Sequence, residues 1–226
     1  MAGPTLLYVT QVAPYRDGPA GVHGVLDQSS TAMAELAGLA GLGFQRVNDV
    51  AVLDAGALAA ARAVALFTIG ETPWSDRQRV ALADGVRAGR TALVGLHSAT
   101  DSCAAWDEYG QLVGARFDGH PWTERVGLEV TEPDHPALRH LGATWRWYDE
   151  IYQLRDLRSD ARVLLRVAES ADSPPPAIGS PLSWCFDEGA GRVFSTALGH
   201  FPAAWESPEF LRFVAGGLAW ALGEGE

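Results

Sequence analysis

Two apolar runs that stop at histidines constrain this chain more than any other feature. Thr91 to Leu96 leads into His97, Ser98 and Asp101 (TALVGLHSATD), and Gly191 to Leu198 leads into Gly199 and His200 (GRVFSTALGH). Near-continuous apolar runs read as parallel strands buried on both faces, and in open α/β sheets the ligand crevice lies past the carboxyl ends of such strands. Both histidines therefore fall where ligands bind, and the pair is expected to face one crevice.

The segments around these runs alternate between strand and helix patterns through the first half of the chain, as a helix-covered parallel sheet requires. Thr5 to Val12 reads as a first strand, Gln28 to Leu42 as a helix with Met33, Leu36 and Ala40 on one face, and Phe44 to Val50 as a second strand. Asp54 caps a short alanine-rich helix before the strand Val64 to Ile69. Ser75 and Gln78 form a capping box for a helix to about Val86, which Gly89 ends.

After Asp101 the alternation weakens. Trp106 to Val113 predicts a short helix and His135 to Leu141 a helical turn. Val126 to Val130, Tyr148 to Leu154, Ala161 to Val167, Leu182 to Phe186 and Arg192 to Leu198 read as strands, with antiparallel additions to the sheet. The proline-rich stretch Ala171 to Ser180 breaks regular structure, and Ser207 to Leu222 closes the chain as an amphipathic helix presenting Phe210, Phe213, Val214, Leu218 and Trp220. The 226 residues suit one domain, with no internal repeat and no second boundary.

Charge and cysteine content narrow the function classes. With 17 basic residues, all arginine, against 28 acidic, the net charge of −11 disfavours nucleic acid and anionic membrane as partners. The missing lysine excludes a Schiff-base mechanism. Two cysteines, Cys103 and Cys185, are too few for a disulfide framework and have no structural-zinc spacing. The start of the chain has no secretory pattern, and no apolar run approaches the ~20 residues that span a bilayer, so a cytoplasmic protein is expected.

Four of the six histidines, His23, His97, His120 and His200, lie beside glycine or proline in loop-like settings. Imidazole transfers protons near neutral pH and binds metals, and it also serves simply to satisfy backbone groups. Asp101 is spaced to orient His97 or to cap a turn. Asp149 and Glu150 stand among Trp147, Tyr148, Ile151 and Tyr152, where desolvation would raise a carboxyl pKa unless the strand is a solvated edge. Adjacent strand residues face opposite ways, so one of the two acids points at any given site. Trp122, Tyr152 and neighbouring aromatics suit either a sugar face or the core. The glycine-rich Arg16 to Gly24 fits neither the P-loop nor the dinucleotide pattern.

VTQVAPYRDG, GLHSATD, YGQLVGARFDGHPW, HPALRHLGATWRWYDEIYQL, PLSWCFDEGAGRVFSTALGHF and SPEFLRFVAGGLAWALG follow one another from the first strand to the last helix. In that order and spacing the chain resembles the trehalose-utilisation, ThuA-like, family, whose members are similar in fold to class I glutamine amidotransferases. The resemblance implies a flavodoxin-like three-layer α/β/α sandwich whose mostly parallel central sheet carries antiparallel additions. His97 stands where the amidotransferase pattern places its cysteine nucleophile and His200 where it places its histidine, so glutaminase activity is not expected.

The resemblance further implies catabolism of trehalose-like disaccharides at the level of oxidised, 3-keto derivatives, by a lyase, isomerase or hydrolase. His97, His200, Glu150 and Asp149 are the candidates for chemistry, and His120, Arg16, Asp101, Trp122, Tyr152 and His23 for substrate binding. Asp17 departs from the family, which commonly has histidine after that arginine. Three functions stand side by side. One is histidine acid/base chemistry on a keto sugar. The second is metal-assisted hydrolysis with a divalent ion on His97, His120 or His200 and a carboxylate. The third is a non-catalytic sugar-binding protein or partner of an oxidoreductase; self-association into a homo-oligomer is open in all three.

Overall fold

The structure, a computed structural model, describes residues 3–15 and 24–224. Among these residues the elements in chain order are β1 (Thr5–Val9), α1 (Leu26–Leu39), β2 (Gly43–Val47), α2 (Ala55–Ala60), β3 (Ala63–Leu66), α3 (Asp76–Arg87), β4 (Ala92–Leu96), α4 (Asp107–Val113), β5 (Arg116–Phe117), β6 (Trp122–Val130), β7 (Thr144–Ile151), β8 (Leu154–Arg155), β9 (Arg162–Val167), β10 (Pro181–Glu188), β11 (Gly191–Thr196), α5 (Pro202–Glu206) and α6 (Pro208–Ala221). Nine strands form one sheet in the order β2-β1-β3-β4-β11-β10-β9-β6-β7, while β5 and β8 pair separately. β2 to β11 along that order run parallel, and β10, β9, β6 and β7 are added antiparallel.

Helices cover both faces, which is why the inner parallel strands β1, β3 and β4 are buried almost throughout. In β4, Ala92, Val94 and Leu96 join a core with Met33 and Leu36 of α1 and Phe213, Val214 and Leu218 of α6. Leu93, between them, joins the opposite core with Leu58 of α2, Leu82 and Val86 of α3 and Leu112 of α4. The period of two thus assigns each side chain to one layer of an α/β/α sandwich. Burying a side chain of this size stabilises by about 1.5–3 kcal/mol, so the two cores hold the sheet from both sides.

Local signals act as the sequence suggests. The Ser75–Gln78 capping box starts α3, and Gly89 follows its end with φ +69°, in the left-handed region that glycine tolerates. Ser207 caps α6 with Pro208 in its first turn, and Phe210, Phe213, Val214, Leu218 and Trp220 are all buried. Bounds move elsewhere. β6 begins at Trp122, four residues before the expected Val126, because its exposed opening residues (Thr123, Glu124, Arg125) carry no apolar alternation. β7 likewise starts at Thr144 and ends at Ile151, earlier than expected on both sides. His135 to Leu141 forms turns, with Leu138 and Arg139 both bonded back to the His135 carbonyl. No helix among the described residues is long and apolar enough to cross a membrane.

The antiparallel arm bends back over α5 and α6. Trp145 of β7 meets Phe213 at 5.8 Å between ring centres, Trp147 stacks on Phe210 at 5.4 Å and 13°, and Tyr148 meets Phe201 at 5.2 Å. The last strand in the sheet order is thereby returned to the carboxyl ends of β4 and β11.

Candidate active site

β4 and β11 are parallel neighbours in register, with Leu96 opposite Thr196. Their outgoing segments therefore leave the sheet side by side. From Leu96 the chain enters a tight turn, His97–Asp101, with His97 at φ +45°, a conformation that costs a non-glycine residue free energy and is kept only where surroundings enforce it. Gly199, at φ +113°, turns the other segment and delivers His200. The two rings meet: His97 Nε2 lies 3.1 Å from His200 Nδ1, with ring centres 5.1 Å apart.

The tautomer of the buried His97 follows from its partners. Nδ1 lies 2.8 Å from the carbonyl oxygen of Ala197, which only accepts, so Nδ1 carries the proton and, in the neutral ring, Nε2 offers a lone pair. Tyr152 brings its hydroxyl to 3.1 Å from that same Nε2. Phe67 sets its ring edgewise against the imidazole at 5.6 Å. The assembly is a fixed ring with one nitrogen aimed at the cluster.

β7 supplies two carboxylates to opposite sides. Glu150 points into the cluster, with Oε2 3.2 Å from His200 Nδ1 and 3.5 Å from His97 Nε2, and Oε1 3.7 Å from His120 Nδ1. The bond to Glu150 raises the His200 pKa above its ordinary 6.5, against the lowering effect of burial. Asp149, fully buried, faces away from the rings and accepts the backbone N–H groups of Gly199 at 2.7 Å, His200 at 3.1 Å and Glu150 at 3.0 Å, and the Trp147 indole at 3.0 Å. Burial pushes its carboxyl up to about 6 despite those donors. The oxygens of Asp149, a candidate for chemistry from the sequence, are engaged by the backbone that carries His200, by the Glu150 N–H and by the Trp147 indole.

The other candidates divide. His120, about half exposed, stacks on Tyr152 at 5.9 Å and 24°, beside Phe117. Asp101 accepts the Tyr15 hydroxyl at 2.6 Å, in a small hollow of about 60 Å³ that Phe117 and Arg155 also line, and burial pushes its carboxyl up to about 6. Trp122 starts β6 opposite Ile151 and packs, half-buried, on the core. Arg16 and His23, with Asp17, lie outside the described residues. Cys103 bonds to the Thr72 hydroxyl at 3.0 Å, and burial pushes its thiol up to about 11, so it is held as a neutral thiol.

Two participants leave no signal in the order of the residues. A backbone carbonyl, that of Ala197, fixes the His97 tautomer, and carbonyls are the same at every position. Tyr15 reaches Asp101 across 86 residues of chain, a pairing that arises because β1 and β4 flank β3 in the sheet.

Comparison with known proteins adds family and fold. A family model described as ThuA, trehalose utilisation, matches residues 15–221. Among solved structures, a ThuA-like protein from Parabacteroides merdae aligns with TM-score 0.75 at 18% identity, over 98% of this chain and 91% of that one. A ThuA-like protein from Bacteroides uniformis aligns with TM-score 0.73 at 17% identity, over 97% and 92%. A cytoplasmic protein from Salmonella typhimurium gives 0.64 at 11% identity, over 96% and 98%. At these identities the structural likeness speaks for the flavodoxin-like fold alone. No curated protein matches the chain.

Proposed function

The chain belongs to the trehalose-utilisation (ThuA) family, its model matching residues 15–221, and from that premise we propose that it is an enzyme of carbohydrate catabolism acting on an oxidised, 3-keto sugar or glycoside. The chemistry is proton transfer by the His97, His200 and Glu150 cluster. One observation carries the reading: the Ala197 carbonyl at 2.8 Å from His97 Nδ1 leaves Nε2 as an acceptor, beside a second imidazole whose proton affinity Glu150 raises.

A keto group acidifies the C–H bonds next to it, so a neutral imidazole suffices as base and no covalent nucleophile is needed. His97 Nε2 takes the proton and His200, whose proton affinity Glu150 raises, returns one to the departing or rearranging oxygen. Proton transfer from positioned groups contributes typically 10²–10⁴-fold. His120 and the partly exposed Phe117, backed by the buried Tyr152, give ring surface against which the apolar C–H face of a sugar packs. A sugar oxidoreductase must install the keto group first, which makes such an enzyme the expected functional partner.

The test is turnover of a panel of 3-keto-glycosides, followed chromatographically. Loss of about 10²-fold or more in His97→Ala and in His200→Ala is expected. Wild-type rates in both variants, or tight binding without turnover across the panel, overturn the reading.

A further inference from the structure

We infer that His97 Nε2, His200 Nδ1 and Glu150 Oε2 form a binding site for a divalent transition-metal ion. Such an ion rests on the proposed function, since it occupies the same cluster and adds an electrophile to it.

Three separate segments, the turn after β4, the loop after β11 and the end of β7, bring these atoms together at separations of 3.1, 3.2 and 3.5 Å. A tetrahedral ion with ligands at about 2.0–2.2 Å separates its donor atoms by roughly 3.3–3.6 Å, so one small ion fits against all three with little movement. All three atoms lie within 4.8 Å of one another, and none comes from a run of surface acids.

The surroundings are those a metal ligand needs. A metal-bound histidine generally donates its other ring N–H to a carbonyl or carboxylate, which fixes the tautomer and aims the lone pair. His97 does this with Ala197 at 2.8 Å. The backbone of His200 is anchored to the buried Asp149, at 3.1 Å. Because the three donor atoms already lie within 3.5 Å of one another, ion binding requires little rearrangement.

Two imidazoles and one carboxylate suit zinc, manganese, iron or cobalt and not magnesium or calcium, which prefer all-oxygen shells. Three protein donors also leave at least one position open, the arrangement of a catalytic and not a structural centre. The open position suits water or the keto oxygen of the sugar. With the ion in place, His97 Nε2 would be a ligand and no longer the base; the ion would polarise the keto oxygen or lower the pKa of a bound water that would serve as the base.

The test uses untagged full-length protein, stripped with a chelator and checked by elemental analysis, then titrated calorimetrically with zinc, manganese and magnesium chlorides. Cobalt(II) absorption in the visible reports coordination independently of turnover. The expected result is a 1:1 complex with zinc or manganese, no comparable complex with magnesium, and weakening by about 100-fold or more in both His200→Ala and Glu150→Gln. These two side chains are partly exposed, and circular dichroism verifies that each variant is folded. Equal affinity in wild type and both variants, or no transition-metal complex at all, overturns the inference. If stripped protein turns over keto-glycosides at full rate without binding an ion, the site fails and the proposed function stands. A 1:1 complex without turnover of any keto-glycoside supports the site and overturns the proposed function.

Discussion

Asp149 accepts the backbone N–H of His200 at 3.1 Å, while the next residue, Glu150, reaches the ring of the same histidine at 3.2 Å. Two consecutive positions of β7 thus hold His200 by its backbone on one side and by its imidazole on the other, a direct use of the alternation of a strand.

Removing the backbone grip should cost both stability and activity. Asp149→Asn replaces one accepting oxygen by an NH₂ that faces an N–H donor, leaving buried groups unsatisfied at about 1–3 kcal/mol. Urea unfolding should show the lower midpoint. Turnover of 3-keto-glycosides should fall with it although Asp149 touches no reacting atom, and an unchanged midpoint contradicts the assigned role.

Gly199 should resist substitution. Its φ of +113° is strained for any side chain, and a Cβ would stand 3.1 Å from Phe210 Cζ and 3.3 Å from Trp205 Cζ2. Gly199→Ala is expected to lose on the order of 1–3 kcal/mol and to displace His200. Denaturant titration with the keto-glycoside assay checks both effects.

Tyr152→Phe separates chemistry from packing. The ring stays against Phe117, 4.6 Å away between centres, while the hydroxyl 3.1 Å from His97 Nε2 is lost. Stability should change by about 1 kcal/mol or less, and turnover should drop by roughly 10-fold or more. A variant that is fully active removes Tyr152 from the proton network.

His135 makes stability depend on acid. Burial, helped by Arg162, Arg139 and Arg192, lowers its pKa from 6.5 to about 4, while its Nδ1 accepts the Ala137 N–H at 3.2 Å. The unfolded chain binds the proton first, so the histidine's contribution is full above pH 6.5 and is lost as the pH falls toward about 4. The stability advantage of wild type over His135→Gln, measured by thermal unfolding, should narrow over that interval. An advantage that widens contradicts the sign.

Much of this arrangement is legible in the residues. The apolar runs ending at His97 and His200 reveal the parallel strands and the side of the sheet on which chemistry gathers, because burial on both faces leaves no polar alternation. The aromatic setting of Asp149 and Glu150 marks them as desolvated, but the strand phase that turns Glu150 inward depends on where β7 begins, and Thr144 and Arg146 give no apolar cue to it. The return of β7 onto α6 is set by Trp147 stacking on Phe210, a contact between residues 63 apart in sequence that no local pattern encodes. Propensity marks elements; the curl of a sheet is decided by which rings find each other.

That curl has a kinetic meaning. β7 is an edge strand of the sheet, paired along its length with β6, so its hydrogen bonds can open without breaking the inner pairings. Since Glu150 rides on it, opening this margin dismantles the cluster while β1, β3, β4 and β11 remain paired. Under mild denaturant, catalytic competence should therefore vanish ahead of the far-ultraviolet helix signal, and the molecule would pass through a folded but idle form.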